Sequence, residues 1–126
     1  MIARLTRDNR ERDIQIAEAA LRDACQSANS HGPLAGIGVV IKGNIDLEGH
    51  ATTAGSLSFE APIAKQSAPL VDRIMAAGGV PIGHANMSEF AFSGLGMNPH
   101  FGTPINGLDA TCVPGGSSSG CASAIA

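Results

Sequence analysis

The sequence predicts an α/β fold in which helices flank a parallel β-sheet. Two short apolar runs, at 37–41 and 80–83, are separated by an amphipathic helical pattern. A strand, a crossover helix and a second strand make a βαβ unit, in which the two strands are parallel neighbours. With 126 residues, 44% hydrophobic and 15% charged, the chain is expected to form one domain rather than a disordered tail.

The first predicted element is an amphipathic helix at 9–29, where apolar residues recur at three- and four-residue steps between charged ones. Ser30-His31-Gly32-Pro33 is expected to end it. The β-branched run at 37–41 then predicts a strand buried on both faces. The stretch at 47–64 has no sustained period and many turn-forming residues, so it is predicted to be mostly loop.

A second helix is predicted to open at Ser67 and Pro69 and to end at Gly78-Gly79, because proline is favoured in the first turn and glycine after the last. Its apolar face is predicted to hold Leu70, Val71, Ile74 and Met75. The very short run at 80–83 follows directly as the second strand.

The last third of the chain is predicted to be mostly irregular. Met87 to Phe92 favours one or two helical turns, and Gly94 to Gly116 is a long loop rich in glycine and proline. Ser118 to Ala126 is predicted to form the first turns of a further helix. With 3% aromatic residues and 16 glycines, the apolar content consists mostly of small side chains, which predicts a marginal core.

Charge and hydropathy exclude several function classes. A formal net charge of −3 lacks the basic excess that direct nucleic-acid binding needs. No apolar run approaches the ~20 residues that span a bilayer, and the start has no apolar signal region, so a soluble cytoplasmic protein is expected. Cys25, Cys112 and Cys121 are predicted to be free thiols, two of them buried, because they fit neither a disulfide framework nor a zinc site.

Three polar features could carry chemistry. The GGSSSG segment at 115–120 is either a glycine-serine linker or a loop whose backbone approaches a ligand at a helix start. Lys42 ends the apolar run at 37–41, where a lysine either extends into water or acts as a base in a desolvated site. The four histidines lie at no metal-ligand spacing, so no metal site is predicted.

Taken together, four segments resemble the amidase signature family of amide hydrolases. They are GPLAGIGVVIKGNID, ATTAGS, MAAGGVPIGHANMSEFAFSGLGMNPHFGTP and VPGGSSSGCASA, and they run in the family order from about Gly32 to Ala126. The resemblance implies a partial amidase-signature fold, with a mixed sheet wrapped by helices. The chain is accordingly predicted to be a single incomplete domain at 1–126, with a helical segment at 1–31 and the N-terminal part of the signature core at 32–126.

The resemblance also implies a Ser-cisSer-Lys triad that needs no metal or organic cofactor. Lys42 matches the catalytic lysine, and Ser117 matches the serine that follows a cis peptide bond and relays a proton between the lysine and the nucleophile. The family's nucleophile lies in a later segment of the form GTD-GGS, which these 126 residues do not contain. The isolated chain is therefore expected to be inactive.

Further residues gain expected roles from the same resemblance. Phe90, Ala91, Ser93 and Met97 are expected near the acyl pocket. The residue types alone favour Phe90 and Phe92 as core residues and Asn98-Pro99 as a turn. A second group is expected to support the site: Gly115, Gly116, Ser118 and Ser119. The two serines are expected to form hydrogen bonds at the helix start, and Ser119 is also expected to support Lys42.

The sequence departs from the family pattern at three places. Gly43 stands where Asp commonly follows the lysine, which puts the orientation of Lys42 in question. Gly107-Leu108 replaces a Pro-Trp pair in the long loop, and Cys121 stands where Ser or Ala is common.

The leading functional hypothesis is the N-terminal portion of an amidase that cleaves a carboxamide C–N bond. A small-molecule amide is the expected substrate, and a homodimer of the full-length enzyme is one option for its assembly. The GLGMNPHFGTP segment favours a free-standing amidase. Two alternatives remain: a component like the glutaminase-type A subunit of a tRNA-dependent amidotransferase, and a non-catalytic remnant or binding module.

Overall fold

The computed structural model describes residues 31–126 together with Arg22 and Gln26. The helix predicted at 9–29 therefore lies outside the described residues, except that Arg22 and Gln26 are both helical. The remaining elements are strand β1 (Gly38–Lys42), helix α1 (Pro69–Ala76), strand β2 (Val80–Ala85), a 3₁₀ turn (Glu89–Ala91) and helix α2 (Ser119–Ile125). This order confirms the predicted α/β fold class.

The two strands pair in parallel, as the βαβ pattern predicts. Val39 lies opposite Pro81 and Val40 opposite Gly83, so Ile82 is an extra residue that interrupts the register. Proline has no N–H to donate, and such an irregularity is where a strand tolerates it. β2 is longer than the predicted 80–83, because His84 and Ala85 continue the ladder opposite Ile41 and Lys42.

Helix α1 begins and ends as its sequence predicts. Pro69 occupies the first turn, and Gly78 follows the helix in the left-handed region at φ 91°, which favours glycine. Ser67 does not cap the helix, since Ala68 holds the cap position and Ser67 Oγ instead accepts from Glu48 N–H at 3.0 Å.

The core between α1 and the sheet is small. Val71 is fully buried against Ile41 and Leu47, with Ile74 packed beside them. Leu70 and Met75 were predicted to share this face, and that prediction is wrong, since they are 52% and 50% exposed. The apolar face predicted for α1 is therefore wider than the part of the helix that packs against the core.

The prediction that β1 is buried on both faces is also wrong. Of its apolar run only Ile41 is buried, Val39 and Val40 are half-buried, and Ile37 lies before the strand and is 50% exposed. In the described part of the chain the sheet has two strands and is covered by two short helices, which leaves part of it open.

The segment at 87–92 forms one tight turn. One helical turn is present within the predicted 87–92, the 3₁₀ turn at Glu89–Ala91, but Phe90 and Ala91 adopt left-handed backbone angles in it, with φ of 49° and 59°. Three hydrogen bonds hold this turn: Phe90 N–H donates to Ala54 O at 2.8 Å, Ala91 N–H to Ser88 O at 2.9 Å, and Phe92 N–H to Glu89 O at 3.0 Å. Such conformations cost on the order of 1–3 kcal/mol each and occur often at ligand sites.

The predicted loops at 47–64 and 94–116 and the predicted last helix are confirmed. The stretch at 47–64 is loop with one isolated antiparallel bridge between Ala51 and Ile63, and 92–118 contains no helix or strand. Helix α2 follows at Ser119–Ile125 and contacts both strands. None of the helices in the described part of the chain has the length and apolar composition needed to cross a membrane.

Candidate functional site

The structure brings Lys42 and Ser117 together although 75 residues separate them. Lys42 Nζ donates to Ser117 Oγ at 2.6 Å, in a half-buried position. The peptide bond between Gly116 and Ser117 is cis, as the resemblance implies for this serine. A short contact between an amine and a hydroxyl is the arrangement that a proton relay requires.

Strand β1 presents Lys42 to this contact at its last position. Gly43 follows, is buried, and donates its N–H to Ala85 O at 3.2 Å. A Cβ at Gly43 would lie 3.3 Å from Ala85 O and 3.6 Å from Met87 Sδ, so the absence of a side chain suits the close packing there. Lys42 thus reaches Ser117 with glycine, rather than the family's aspartate, at the next position.

The glycines at 115 and 116 let the loop pack directly against another backbone segment. Gly116 N–H donates to Gly94 O at 2.8 Å, and a Cβ at Gly96 would stand 2.2 Å from Gly115 O. Gly96 and Gly115 also have left-handed φ angles of 79° and 78°. A Cβ at Gly96 or at Gly116 would collide with the facing backbone, so close approach requires glycine at these two positions. A Cβ at Gly115 would meet nothing within 4 Å, so Gly115 is favoured by its left-handed conformation alone.

Two buried serines lie next to this loop. Ser88 is 1% exposed, its N–H donates to Ser117 O at 3.1 Å, and its hydroxyl donates to Ser93 O at 2.9 Å. Ser119 is fully buried, and its hydroxyl has no hydrogen-bond partner among the described residues.

The predicted capping role of Ser118 and Ser119 is therefore wrong. Ser118 occupies the cap position of α2 without a side-chain hydrogen bond, and Ser119 Oγ is bonded neither to the helix nor to Lys42 in the described structure. A backbone hydrogen bond and close backbone packing hold the helix start instead. Gly120 N–H donates to Asn86 O at 2.8 Å, and a Cβ at Gly120 would lie 2.4 Å from Asn86 N.

A cleft of about 540 Å³ contains three of the four residues expected near the substrate. Its lining consists of Glu89, Phe90, Phe92, Ser93, Met97 and Pro99, and Ala91 is absent from it. Phe90 and Phe92 were also predicted as core residues, and that prediction is wrong, because they are 54% and 93% exposed. Phe90 stacks on Phe59, with ring centroids 6.1 Å apart.

A carboxylate network lies at the wall of this cleft. Glu89 Oε1 accepts from Ser56 Oγ at 2.7 Å and pairs with His100 Nε2 at 2.9 Å. The hydrogen bond from Ser56 lowers the pKa of Glu89 below its usual 4.5, and His100 lowers it further. Glu89 is therefore an anion at neutral pH. The sequence analysis did not single it out, although it lies in the third of the segments that resemble the family.

The low pKa of Glu89 predicts a specific loss of stability in acid. The folded chain binds this proton less readily than the unfolded chain, so its stabilising effect is complete above pH 4.5 and is lost as the pH falls through the folded-state pKa. We expect Glu89→Gln to flatten the fall of the urea midpoint between roughly pH 5 and pH 3. Glu60→Gln, which alters an exposed carboxylate, should leave that slope unchanged. Equal slopes in Glu89→Gln and the unchanged chain would contradict the network.

Asn98 is the second residue whose role the sequence did not reveal. It is 2% exposed, and its amide nitrogen donates to Gly55 O at 2.8 Å and Met87 O at 2.7 Å. Its Oδ1 accepts from the N–H groups of His100 and Phe101 at 2.8 and 2.9 Å. The predicted turn at Asn98-Pro99 is present, but Asn98 also ties three loops together beneath the cleft.

The predicted burial of two cysteines is wrong for the described ones. Cys112 is exposed and Cys121 half-buried, and both are free thiols, whereas Cys25 lies outside the described residues. Within 31–126, together with Arg22 and Gln26, no group of three or more His, Cys, Asp or Glu side chains is placed to hold a metal ion.

Comparison with known proteins decides the family. The sequence matches the Amidase family profile over residues 10–126, which is most of the chain. The chain belongs to the amidase family. This confirms the resemblance drawn from the four segments between Gly32 and Ala126.

Relatives in the amidase family include one component of an amidotransferase. The chain is 41% identical over 111 residues to the A subunit of the glutamyl-tRNA(Gln) amidotransferase of Ralstonia nicotianae, a match that covers 88% of this chain and 22% of the relative. The corresponding A subunit from Symbiobacterium thermophilum is 44% identical over 116 residues, covering 90% of this chain and 24% of the relative. The chain thus spans about a quarter of the length of these curated relatives.

Solved structures of the family show the same arrangement of elements. The glutamyl-tRNA(Gln) amidotransferase A subunit from Thermotoga maritima superposes with a TM-score of 0.72 and 31% identity, covering 95% of this chain and 29% of that one. An inhibitor-bound structure, described as part of a vestigial protein complex linked to the origin of an s-triazine catabolic enzyme, gives 0.73 and 35%, covering 100% and 26%.

Proposed function

We propose that this chain supplies the proton-relay half, Lys42 and Ser117, of an active site that hydrolyses a carboxamide C–N bond. The observation that carries the proposal is the 2.6 Å contact between Lys42 Nζ and Ser117 Oγ, in a chain of the amidase family. A small-molecule amide is the proposed substrate, and the cleft beside Phe90, Ser93 and Met97 is its proposed acyl site.

In the proposed chemistry the relay first takes a proton from the nucleophile and then gives one to the leaving nitrogen. With Lys42 as a neutral amine, its lone pair accepts the proton of the Ser117 hydroxyl, and Ser117 takes a proton from a nucleophilic serine. That serine attacks the amide carbon, and the relay returns a proton to the nitrogen, so the C–N bond breaks and an acyl-enzyme ester remains. Water, deprotonated by the same relay, then attacks the ester, which releases the carboxylic acid and returns the proton to the serine. The nucleophile and the donors for the oxyanion are provided by the later GTD-GGS segment, which these 126 residues do not contain.

A second candidate is a component of a tRNA-dependent amidotransferase, in which the same hydrolysis supplies ammonia to a partner protein. The names of the Ralstonia and Symbiobacterium relatives favour it over the free-standing amidase that the GLGMNPHFGTP segment suggested. The relay chemistry of Lys42 and Ser117 is identical in both cases, so the two candidates differ in partner and not in mechanism.

A graft into a relative tests the proposal. Residues 10–126 replace the matching segment of the Thermotoga maritima amidotransferase relative, and hydrolysis of glutamine and simple carboxamides is followed by ammonia release. We expect turnover in the graft and none in the isolated 126-residue chain. A folded graft that releases no ammonia from any amide, or turnover by the isolated chain, would contradict the proposal. Co-purification of the graft with the other amidotransferase subunits would favour the second candidate.

A further inference from the structure

We propose that Ser88 is a positioning residue that holds Ser117 in contact with Lys42. The inference rests on the proposed function of that pair, but its test does not require turnover. Ser88 is 1% exposed and lies between β2 and the 3₁₀ turn, close to both the relay and the cleft. Nothing in its sequence context singled it out.

The first link from Ser88 goes to Ser117 itself. The Ser88 N–H donates to Ser117 O at 3.1 Å, so the backbone of the relay serine is bonded directly to Ser88. The Lys42 Nζ to Ser117 Oγ distance is 2.6 Å. Because hydrogen bonds weaken steeply beyond about 3.2 Å, a displacement of Ser117 by roughly 1 Å would break that contact.

The second link goes through the hydroxyl of Ser88 to the other side of the loop. Ser88 Oγ donates to Ser93 O at 2.9 Å, and a Cβ at Gly116 would lie 2.5 Å from that same carbonyl oxygen. The Ser93 carbonyl therefore forms the surface on which Gly116 packs. By fixing it, the Ser88 hydroxyl limits the position that the Gly116–Ser117 backbone can take.

The same hydroxyl joins the relay to the cleft. Ser93 lines the cleft together with Phe90 and Phe92, and all three lie in the segment that the Ser88–Ser93 hydrogen bond closes. Replacing Ser88 should therefore loosen the contact between Lys42 and Ser117, although neither Lys42 nor Ser117 is itself replaced. Ser88 touches neither Lys42 Nζ nor an acyl group in this arrangement and acts through Ser117.

The 126-residue chain offers a direct reporter of this contact. It has two lysines, half-buried Lys42 and exposed Lys65, so labelling lysine with ¹³C at Cε gives two resonances, one of them an internal control. Ser117→Ala identifies the Lys42 resonance and defines the shift caused by loss of the contact. We expect Ser88→Ala and Ser88→Cys to move the Lys42 resonance in that same direction and to leave Lys65 in place. Cysteine has the same shape as serine but a slightly larger side chain and a much weaker donor, and it fills the site if the alanine variant does not fold.

Ser56→Ala is the matched control. Ser56 is also 1% exposed, and its hydroxyl bonds to Glu89 rather than to the relay loop, so its loss should leave the Lys42 resonance unchanged. An unmoved Lys42 resonance in folded Ser88→Ala or Ser88→Cys would overturn the inference, as would an equal shift in Ser56→Ala. If the graft is inactive but the resonance moves as expected, the proposed function fails while the positioning role stands.

Discussion

Replacing Lys42 or Ser117 with alanine in the active graft is expected to lower kcat by roughly 10²- to 10⁴-fold, the usual contribution of a positioned proton-transfer group. Each replacement removes one end of the 2.6 Å contact between Nζ and Oγ. Ammonia release under saturating carboxamide measures the effect. KM should change much less, because neither side chain lines the proposed acyl cleft.

Two matched control variants distinguish a loss of the proton relay from a general loss of structure. Lys65→Ala removes the other lysine of the chain, which is exposed, and Ser123→Ala removes a hydroxyl in α2 that bonds to Ile105 O at 2.8 Å. Both should keep kcat within about twofold of the graft, since they are surface or helix changes away from the contact. If Lys65→Ala were as slow as Lys42→Ala, the loss would not come from the relay.

Asn98→Ala is expected to destabilise the chain by about 3 to 5 kcal/mol. The replacement removes four side-chain hydrogen bonds, and the two buried ones leave Gly55 O and Met87 O without a partner at a cost of about 1–3 kcal/mol each. Because a domain of this kind has only about 5–15 kcal/mol of stability in total, much of the chain should unfold at low urea. Urea unfolding followed by circular dichroism measures the loss.

Asn106→Ala is the matched control for that prediction. The Asn106 side chain makes three hydrogen bonds, to Val113 O and from the N–H groups of Leu108 and Asp109, but all three are exposed to water. Water can replace its hydrogen bonds, so a loss below about 1 kcal/mol is expected. Similar losses in the two variants would show that the buried bonds of Asn98 do not brace the fold.

The local pattern predicted the elements of the fold well because the relevant signals are short-range. Pro69 and Gly78 mark the two ends of α1, and the β-branched run that ends in Lys42 marks β1. The predicted burial was less accurate. The exposure of Leu70 and Phe92 depends on which surfaces meet in three dimensions, and a residue's own neighbours in sequence do not specify this.

The candidate site was predictable only where a motif names a residue. Lys42 and Ser117 were found through the family resemblance, since 75 residues separate them and no local pattern relates them. Asn98 and Ser88 were missed because their importance comes from hydrogen bonds to backbone atoms in other loops. Every residue has the same backbone atoms, so a hydrogen bond to the backbone cannot be recognised from the identity of the partner residue.

The most direct test of the proposed relay is the kcat of the double variant Lys42→Ala/Ser117→Ala in the graft. Groups that act as one relay lose their effect together, so the double variant should be no slower than the slower single variant. If instead the two losses multiply, Lys42 and Ser117 act independently, and the 2.6 Å contact between them is not the path of the proton.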